Sequence, residues 1–259
     1  MIGQKIFSSI AIGVVGMSFV ASPPAWSAPL NEIQERGKLI VAVKDNLRPL
    51  GFRDAAGNLQ GLEIDLAKRL AEELFGKVDA VVLQPVQNVD RLNVVIEDKV
   101  DLAIARVTQN ESRLRIVDLS RPYYLDGTGL ITKDATIKQV SDVATKAIAV
   151  LKGSNTIAII KYASPTSKLV GVNSYKEALT LLENGGASAF AADRSILAGW
   201  MQDYPQYRLL PTKLSTEALC VVMPKGLQYA QLQERVNEAI SRLQASGWLA
   251  QRAAAWGLP

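Results

Sequence analysis

The sequence lacks histidine and has little cysteine. Its 259 residues include no histidine and one cysteine, Cys220. Without imidazole the chain cannot build a Ser-His-Asp or Cys-His catalytic group, a histidine zinc site or a histidine pH switch. One cysteine forms neither an internal disulfide nor a thiolate cluster, and the apolar neighbours of Cys220 favour an inert buried thiol. The enzymes and metal sites that depend on these groups are therefore excluded.

Nucleotide-binding motifs and charge runs are missing as well. The chain has no Gly-x-x-x-x-Gly-Lys loop and no Gly-x-Gly-x-x-Gly turn after a strand, and we expect no cofactor. The net charge is +4, but the basic residues are scattered, which argues against a nucleic-acid partner. Because 48% of the residues are apolar, we expect a folded protein with one large core or two smaller ones.

Residues 1–27 have the pattern of a secretory signal peptide. Lys5 supplies the positive charge, residues 6–20 are mostly apolar, and cleavage after Ser27 places small residues at both required positions. The alternative is a membrane anchor, but about 15 apolar residues followed by two prolines fall short of the roughly 20 that a spanning helix needs. We predict an exported, periplasmic protein whose mature chain begins at residue 28.

From residue 28 onward the pattern favours an α/β fold. Short apolar runs alternate with amphipathic segments, as in βαβ units with mainly parallel sheets flanked by helices. The alternation builds one lobe by residue 131 and restarts at residues 147–151. A helical segment at residues 227–245 needs a sheet to pack against, and we expect it to return to the first lobe.

Two hinge strands, near residues 130–133 and 216–222, are expected to join the lobes. The first lobe then comprises residues 28–131 plus 222–259, and the second comprises residues 132–221. Parallel sheets bind ligands at the carboxyl ends of their strands, where loops and helix N-termini supply free backbone donors. A small molecule held in the cleft between the lobes is the default expectation.

A polar loop follows the predicted cleft strand of the first lobe. Thr108 and Asn110 offer side-chain and backbone donors, and Arg113 offers a planar guanidinium that matches a carboxylate. The alternative is that Arg113 only pairs with Glu111 or Asp118 on the surface. Spacing alone leaves both interpretations open.

The second lobe supplies an acidic candidate. Asp193 follows the predicted strand at residues 187–191 and precedes a helix, so it could neutralise an ammonium group in the cleft. The alternative is that it caps the helix, because aspartate is a preferred N-cap residue. Ser154 and Asn155, at another strand-to-helix turn, have the same two possible roles.

Several stretches together resemble the periplasmic amino-acid-binding proteins of ABC importers. They are residues 61–67 (GLEIDLA), 100–103 (VDLA) followed by Thr108 and Arg113, 117–124 (VDLSRPYY), 247–249 (GWL) and 256–257 (WG). The likeness extends from about residue 37 to the end. It implies the two-lobed type II periplasmic-binding-protein fold, a free amino acid as ligand and a membrane permease as partner.

The resemblance also implies roles for individual residues. By position, Arg113 matches the arginine that binds the ligand α-carboxylate, and Asp193 matches the aspartate that binds the α-ammonium group. Four others fall where the family places hydroxyls and backbone amides around the carboxylate: Thr108, Asn110, Ser154 and Asn155. Asn110 and Asn155 depart from the more usual threonine or glycine.

Two positions bear on specificity. Lys44 stands where relatives that bind acidic amino acids carry a basic residue, and Asn88 stands where they place a small polar side chain. A cation at residue 44 would attract a ligand carboxylate and repel lysine or arginine, so glutamate or aspartate is expected, with amides possible. The alternative for Lys44 is a solvated lysine beside Asp45.

Three cleft positions depart from the family. Leu47 and Leu50 stand where many relatives present aromatic residues, and Arg106 replaces a small residue at the end of the cleft strand. The sequence assigns no role to Arg106.

The resulting prediction is a monomeric binding protein, not an enzyme, that closes on its ligand and delivers it to the permease. One alternative is an exported enzyme that resembles cyclohexadienyl dehydratase on the same fold. It would need an acid poised in the cleft, and no paired carboxylates stand out there. The other alternative is a free periplasmic amino-acid sensor.

Overall fold

The computed structural model describes residues 28–259, so the predicted signal peptide at residues 1–27 lies outside the described residues. The α-helices of the described part are α1 (Leu30–Arg36), α2 (Leu62–Phe75), α3 (Asn93–Ile96), α4 (Glu111–Leu114), α5 (Thr156–Ala163), α6 (Tyr175–Glu183), α7 (Arg194–Asp203), α8 (Ala230–Ala245) and α9 (Trp248–Ala255). The strands are β1 (Leu39–Val43), β2 (Asn46–Leu47), β3 (Gly51–Arg53), β4 (Leu59–Gln60), β5 (Val81–Pro85), β6 (Leu102–Thr108), β7 (Asp118–Asp126), β8 (Thr128–Thr132), β9 (Ala147–Leu151), β10 (Lys168–Val172), β11 (Ala189–Asp193), β12 (Arg208–Leu209) and β13 (Glu217–Met223).

Two five-stranded sheets confirm the α/β prediction and the two lobes. The first has the order β5-β1-β6-β13-β7, and the second has the order β10-β9-β11-β8-β12. In each sheet the first three strands are parallel and the other two are joined by antiparallel pairings. A small antiparallel sheet of β2, β3 and β4 completes the first lobe.

Helical periodicity places α2 and α8 on the first sheet. In α2, Leu62, Leu66 and Leu70 recur every fourth residue, and all three are fully buried. In α8, Val236 and Ile240 join the same apolar cluster, which confirms that the C-terminal helix returns to the first lobe. The parallel strand ends that carry the candidate residues therefore rest on a packed core.

The chain crosses between the sheets at different residues from those expected. Strand β7 ends the first sheet and β8 begins the second, so the first crossing is Gly127. The return crossing is residues 210–216, between β12 and β13. The expected boundaries at residues 131 and 222 fall inside β8 and β13, because β8 pairs along its length with β11 and β13 lies between β6 and β7.

The two crossings touch each other. A Cβ atom at Gly127 would lie 1.9 Å from the Ser215 carbonyl oxygen, so only glycine fits there. The Thr128 N–H donates to Ser215 Oγ at 2.9 Å, and the Leu214 N–H donates to the Thr128 carbonyl at 2.9 Å. The connections between the lobes are thus bound into one unit.

Within residues 28–259, none of the helices is both long and apolar enough to cross a bilayer. The same residues contain no group of three or more acidic or thiol side chains arranged to hold a metal ion.

Candidate functional site

The carboxyl ends of the parallel strands of the two lobes meet at a cleft. Arg106, near the end of β6, forms an ion pair with Asp193, the last residue of β11. Both side chains are largely buried, with 21% and 19% of their surfaces exposed. An ion pair between the lobes therefore lies where the sequence predicted the ligand.

The backbone holds Arg106 in an unusual conformation. Its φ angle is +51°, a left-handed value that costs free energy for a residue other than glycine. Fully buried Glu63 and partly buried Arg91 stabilise this turn of the chain. The Arg106 N–H donates to Glu63 Oε1 at 2.7 Å, and its carbonyl accepts from Arg91 Nη1 at 2.6 Å. The guanidinium is thereby aimed across the cleft.

Arg113 lies beside this ion pair on the first lobe. Its Nη1 donates to both the carbonyl and the hydroxyl oxygen of Thr108. Burial lowers the pKa of Arg113, and the charge of Arg106 lowers it further. Within the described residues Arg113 forms no ion pair with Glu111 or Asp118, so the surface-pairing alternative is wrong.

Asp193 occupies the N-cap position of α7, but its side chain does not cap the helix. Asp126, the last residue of β7, performs that role instead, because it accepts from the Ser195 N–H at 3.1 Å and from the Ser195 hydroxyl. The capping alternative for the Asp193 side chain is therefore wrong. Its carboxylate is directed to the cleft and to Arg106.

A cavity of about 490 Å³ brings together three predicted site residues from the two lobes. Thr108 and Asn110 line it from the first lobe, and Asn155 lines it from the second, with Glu217 at the start of β13. The Asn110 side chain caps α4, because its Oδ1 accepts from the Arg113 N–H at 2.9 Å. Burial raises the pKa of Glu217.

The structure does not bring the remaining predicted residues to that cavity. The Ser154 hydroxyl donates to the Leu151 carbonyl at 2.8 Å, and Asn88 is an exposed turn residue. Lys44 is 3% exposed and donates from Nζ to the Val86 carbonyl at 2.8 Å, so it is not the solvated lysine of the alternative. Burial lowers the pKa of Lys44, and the charge of Arg91 adds to the effect.

A second cavity of about 550 Å³ lies between the small sheet and the second lobe. Leu47 and Arg48 line it from the first lobe, and Tyr175, Ile196 and Trp200 line it from the second. Leu50, by contrast, is fully buried in the first-lobe core. Of the two leucines that replace aromatic residues, only Leu47 faces this cavity.

Sequence reasoning missed the charged network behind the cleft. It gave no role to Arg106 and did not select Glu63 or Arg91. Glu63 is fully buried, accepts from the Tyr123 hydroxyl at 2.6 Å, and has no partner for Oε2 among the described residues. A signal was present, because Arg106 is the one charged residue of β6, LAIARVT, in which every residue before it is apolar.

Glu63 leads to a prediction about stability and pH. Burial raises its pKa, although hydrogen bonds from Tyr123 and Arg106 oppose the change. The folded state therefore binds this proton more tightly than the unfolded state, so the stabilisation is complete below the unfolded pKa of about 4.3 and is lost as pH rises through the folded pKa. We expect the melting temperature of Glu63→Gln, minus that of the natural protein, to become more positive over this window.

Calorimetric melting at a series of pH values from acid to neutral checks this expectation. Asp101, whose pKa burial also raises, is present in both proteins and cancels in the difference. A difference that stays constant would show that folding leaves the pKa of Glu63 unchanged, and one that becomes more negative would show that folding lowers it; either result contradicts the expectation.

Comparisons with known proteins agree with this architecture. The chain is 33% identical over 197 residues to the glutamine-binding protein of Geobacillus stearothermophilus. These residues make up 74% of this chain and 75% of that protein. This chain is 29% identical over 151 residues to the cyclohexadienyl dehydratase of Pseudomonas aeruginosa, covering 56% and 55% of the two chains. The solute receptor for L-cysteine of Neisseria gonorrhoeae has a similar structure, with a TM-score of 0.68, 28% identity and coverage of 90% and 94%.

The model of one family matches most of the chain, from residue 39 to residue 259. The match begins at the first residue of β1 and includes both sheets, both crossings and every cleft residue described above. The chain therefore belongs to the bacterial extracellular solute-binding proteins, family 3.

Proposed function

We propose that this protein is the binding component of an ABC importer and captures a polar α-amino acid, with glutamate and aspartate favoured. The observation that carries the proposal is the meeting of opposite charges from the two lobes in one cleft. Arg106 and Arg113 come from the first lobe, and Asp193 comes from the second. An α-amino acid presents the complementary pair of charges, a carboxylate and an ammonium group.

Electrostatics supports an acidic ligand. Burial lowers the pKa of Arg91, and the charges of Arg113 and Arg106 lower it further, so these guanidiniums repel one another. Buried Lys44 adds a further positive charge near Arg91, and Glu63 is the acidic group whose charge opposes the lowering of the pKa at both residues. A ligand with a second carboxylate would relieve this repulsion, whereas lysine or arginine would increase it.

Closure on the ligand provides the transport mechanism. Burying a zwitterion is costly unless both of its charges are matched, so an amino acid that bridges Arg113 and Asp193 stabilises the closed arrangement. The closed protein would then dock on a membrane permease. Export to the periplasm by the predicted signal peptide is consistent with the extracellular family to which the chain belongs.

A thermal-shift panel of the common amino acids tests this function. At about 100 times its Kd, a ligand that binds only the folded state stabilises it by about 2.7 kcal/mol. For a protein of this size that corresponds to an increase in melting temperature of about 5–10 °C. We expect this increase with glutamate or aspartate, confirmed by calorimetric titration.

Two outcomes would contradict the proposal. Tight binding of arginine without binding of acidic amino acids would overturn the acidic preference. Conversion of prephenate by the protein would favour an enzyme instead, in line with the partial similarity to cyclohexadienyl dehydratase. We expect prephenate to remain unchanged after prolonged incubation.

A further inference from the structure

The ion pair between Arg106 and Asp193 places a positive side chain on the carboxylate that is proposed to bind the ligand ammonium group. An incoming amino acid therefore competes with Arg106 for Asp193. To bind Asp193, the ligand must first displace a guanidinium that belongs to the protein itself.

Displacement leaves Arg106 without its main partner in a largely buried place. Breaking one side of such a pair is strongly unfavourable, because the remaining charge is neither solvated nor compensated. The other acidic groups near Arg106 compensate it poorly. Asp126 Oδ2 is 4.0 Å from Arg106 Nε and is already bound to Ser195, and Glu63 binds the backbone N–H of Arg106.

Glu217 is the remaining acidic residue that interacts with Arg106 through its charge, and burial raises its pKa. It forms no ion pair with Arg106 among the described residues. Once the ligand has displaced it, the Arg106 guanidinium is a largely buried charge without an ion-pair partner, so an anion that reaches it is bound favourably. A ligand that carries a second carboxylate can supply this anion.

We propose that Arg106 determines specificity by exchange of ion pairs. The ligand ammonium group replaces Arg106 on Asp193, the second carboxylate of the ligand receives the freed Arg106, and Arg113 binds the α-carboxylate. Asp193 and Arg106, which lose each other as partners, each form a new ion pair with the ligand. This inference rests on the proposed function and explains, by one residue, why an amino dicarboxylate is bound in preference to its amide.

Calorimetric titration of the natural protein, Arg106→Gln and Arg106→Lys with glutamate, glutamine and glutarate tests the exchange. Glutamine has the shape of glutamate without the second charge, and glutarate has both carboxylates without the ammonium group. In the natural protein we expect glutamate to bind at least about tenfold more tightly than either, because each of the other two leaves one charge of the exchanged pair unmatched.

Arg106→Gln removes the competing charge, so we expect its affinity for glutamine to increase and the preference for glutamate to disappear. Arg106→Lys keeps the charge and should keep the preference. Arg115→Gln is the matched control, since Arg115 is an exposed arginine just beyond α4 and should leave all three affinities unchanged. A melting curve for each variant establishes that it is folded.

The outcomes separate this inference from the proposed function. If the natural protein binds no amino acid, the proposed function fails. If it binds glutamate but Arg106→Gln keeps the same preference, or loses both ligands, ion-pair exchange is wrong and the proposed function stands. Glutarate binding as tight as that of glutamate would also overturn the exchange, because it would show that Asp193 stays paired with Arg106.

Discussion

Arg113→Ala should reduce glutamate affinity by about 30- to 4000-fold, the largest effect that we expect from a single substitution in the cleft. Removing one member of a buried, hydrogen-bonded charge pair costs about 2–5 kcal/mol, and each 1.4 kcal/mol is a factor of ten in Kd. The guanidinium already points back to Thr108 and is partly desolvated, so little rearrangement is needed before it receives a carboxylate. Calorimetric titration measures the loss.

Arg115→Ala is the control for that experiment. Arg115 follows the same short helix, its side chain is exposed, and its carbonyl, which accepts from Lys225, is unaffected by the substitution. We expect natural affinity in this control and similar melting temperatures in both variants. Undiminished glutamate binding by a folded Arg113→Ala protein would remove the basis for the carboxylate site.

Gly199→Ala should weaken ligand binding without unfolding the protein. Gly199 lies in α7 of the second lobe, and a Cβ atom there would be 2.3 Å from the Arg48 carbonyl oxygen of the first lobe. The neighbouring Ala198 is buried within the first-lobe apolar cluster, so the lobes are in direct contact at this helix. Overpacking costs about 1–3 kcal/mol, which corresponds to about 5- to 150-fold in affinity.

Two measurements distinguish this effect from ordinary destabilisation. Alanine favours a helix over glycine by about 1 kcal/mol, so the melting temperature without ligand should not fall. Small-angle scattering should show a larger radius of gyration, because the lobes are held apart. Gly171→Ala, in β10, is the control, since the atoms nearest to its added Cβ belong to the flexible Lys152 side chain. An unchanged affinity and radius for Gly199→Ala would contradict the steric argument.

The parts of the fold that depend on local pattern were predictable. The apolar run at residues 39–43, bounded by Lys38 and Lys44, predicts a buried strand, and β1 has these limits. The spacing of Ser174 and Glu177 predicts a capping box at the start of α6, and this prediction is confirmed in part. Ser174 accepts from the Glu177 N–H at 3.1 Å, but the Glu177 carboxylate binds the Asn173 N–H rather than that of Ser174.

The arrangement of the strands was less predictable, because strand order is set by residues far apart in the chain. Strand β13 lies between β6 and β7, although about a hundred residues separate it from them, and no local pattern specifies that neighbour. The crossing points were misplaced for the same reason. Strand β11 ends two residues later than expected, which places Asp193 within the strand.

The candidate site shows the same division. Arg113 and Asp193 could be selected as candidates because charged residues at or just beyond the ends of strands lie beside a cleft, and the family resemblance favoured a ligand role for both. The partners of the charged side chains could not be predicted, because they depend on which groups face each other once the lobes are packed. The pairing of Arg106 with Asp193, and the burial of Lys44 against Val86, both arise from contacts between segments distant in sequence.

The contact between the two crossings limits how the lobes can move. Because Gly127 touches the backbone of Ser215 and Thr128 is hydrogen-bonded to Leu214, the two connections cannot slide past each other or separate independently. Motion of one lobe relative to the other is then close to rotation about a single axis that passes through the joined crossings. One distance between a pair of spin labels, one in each half, should therefore be enough to describe every position along that rotation.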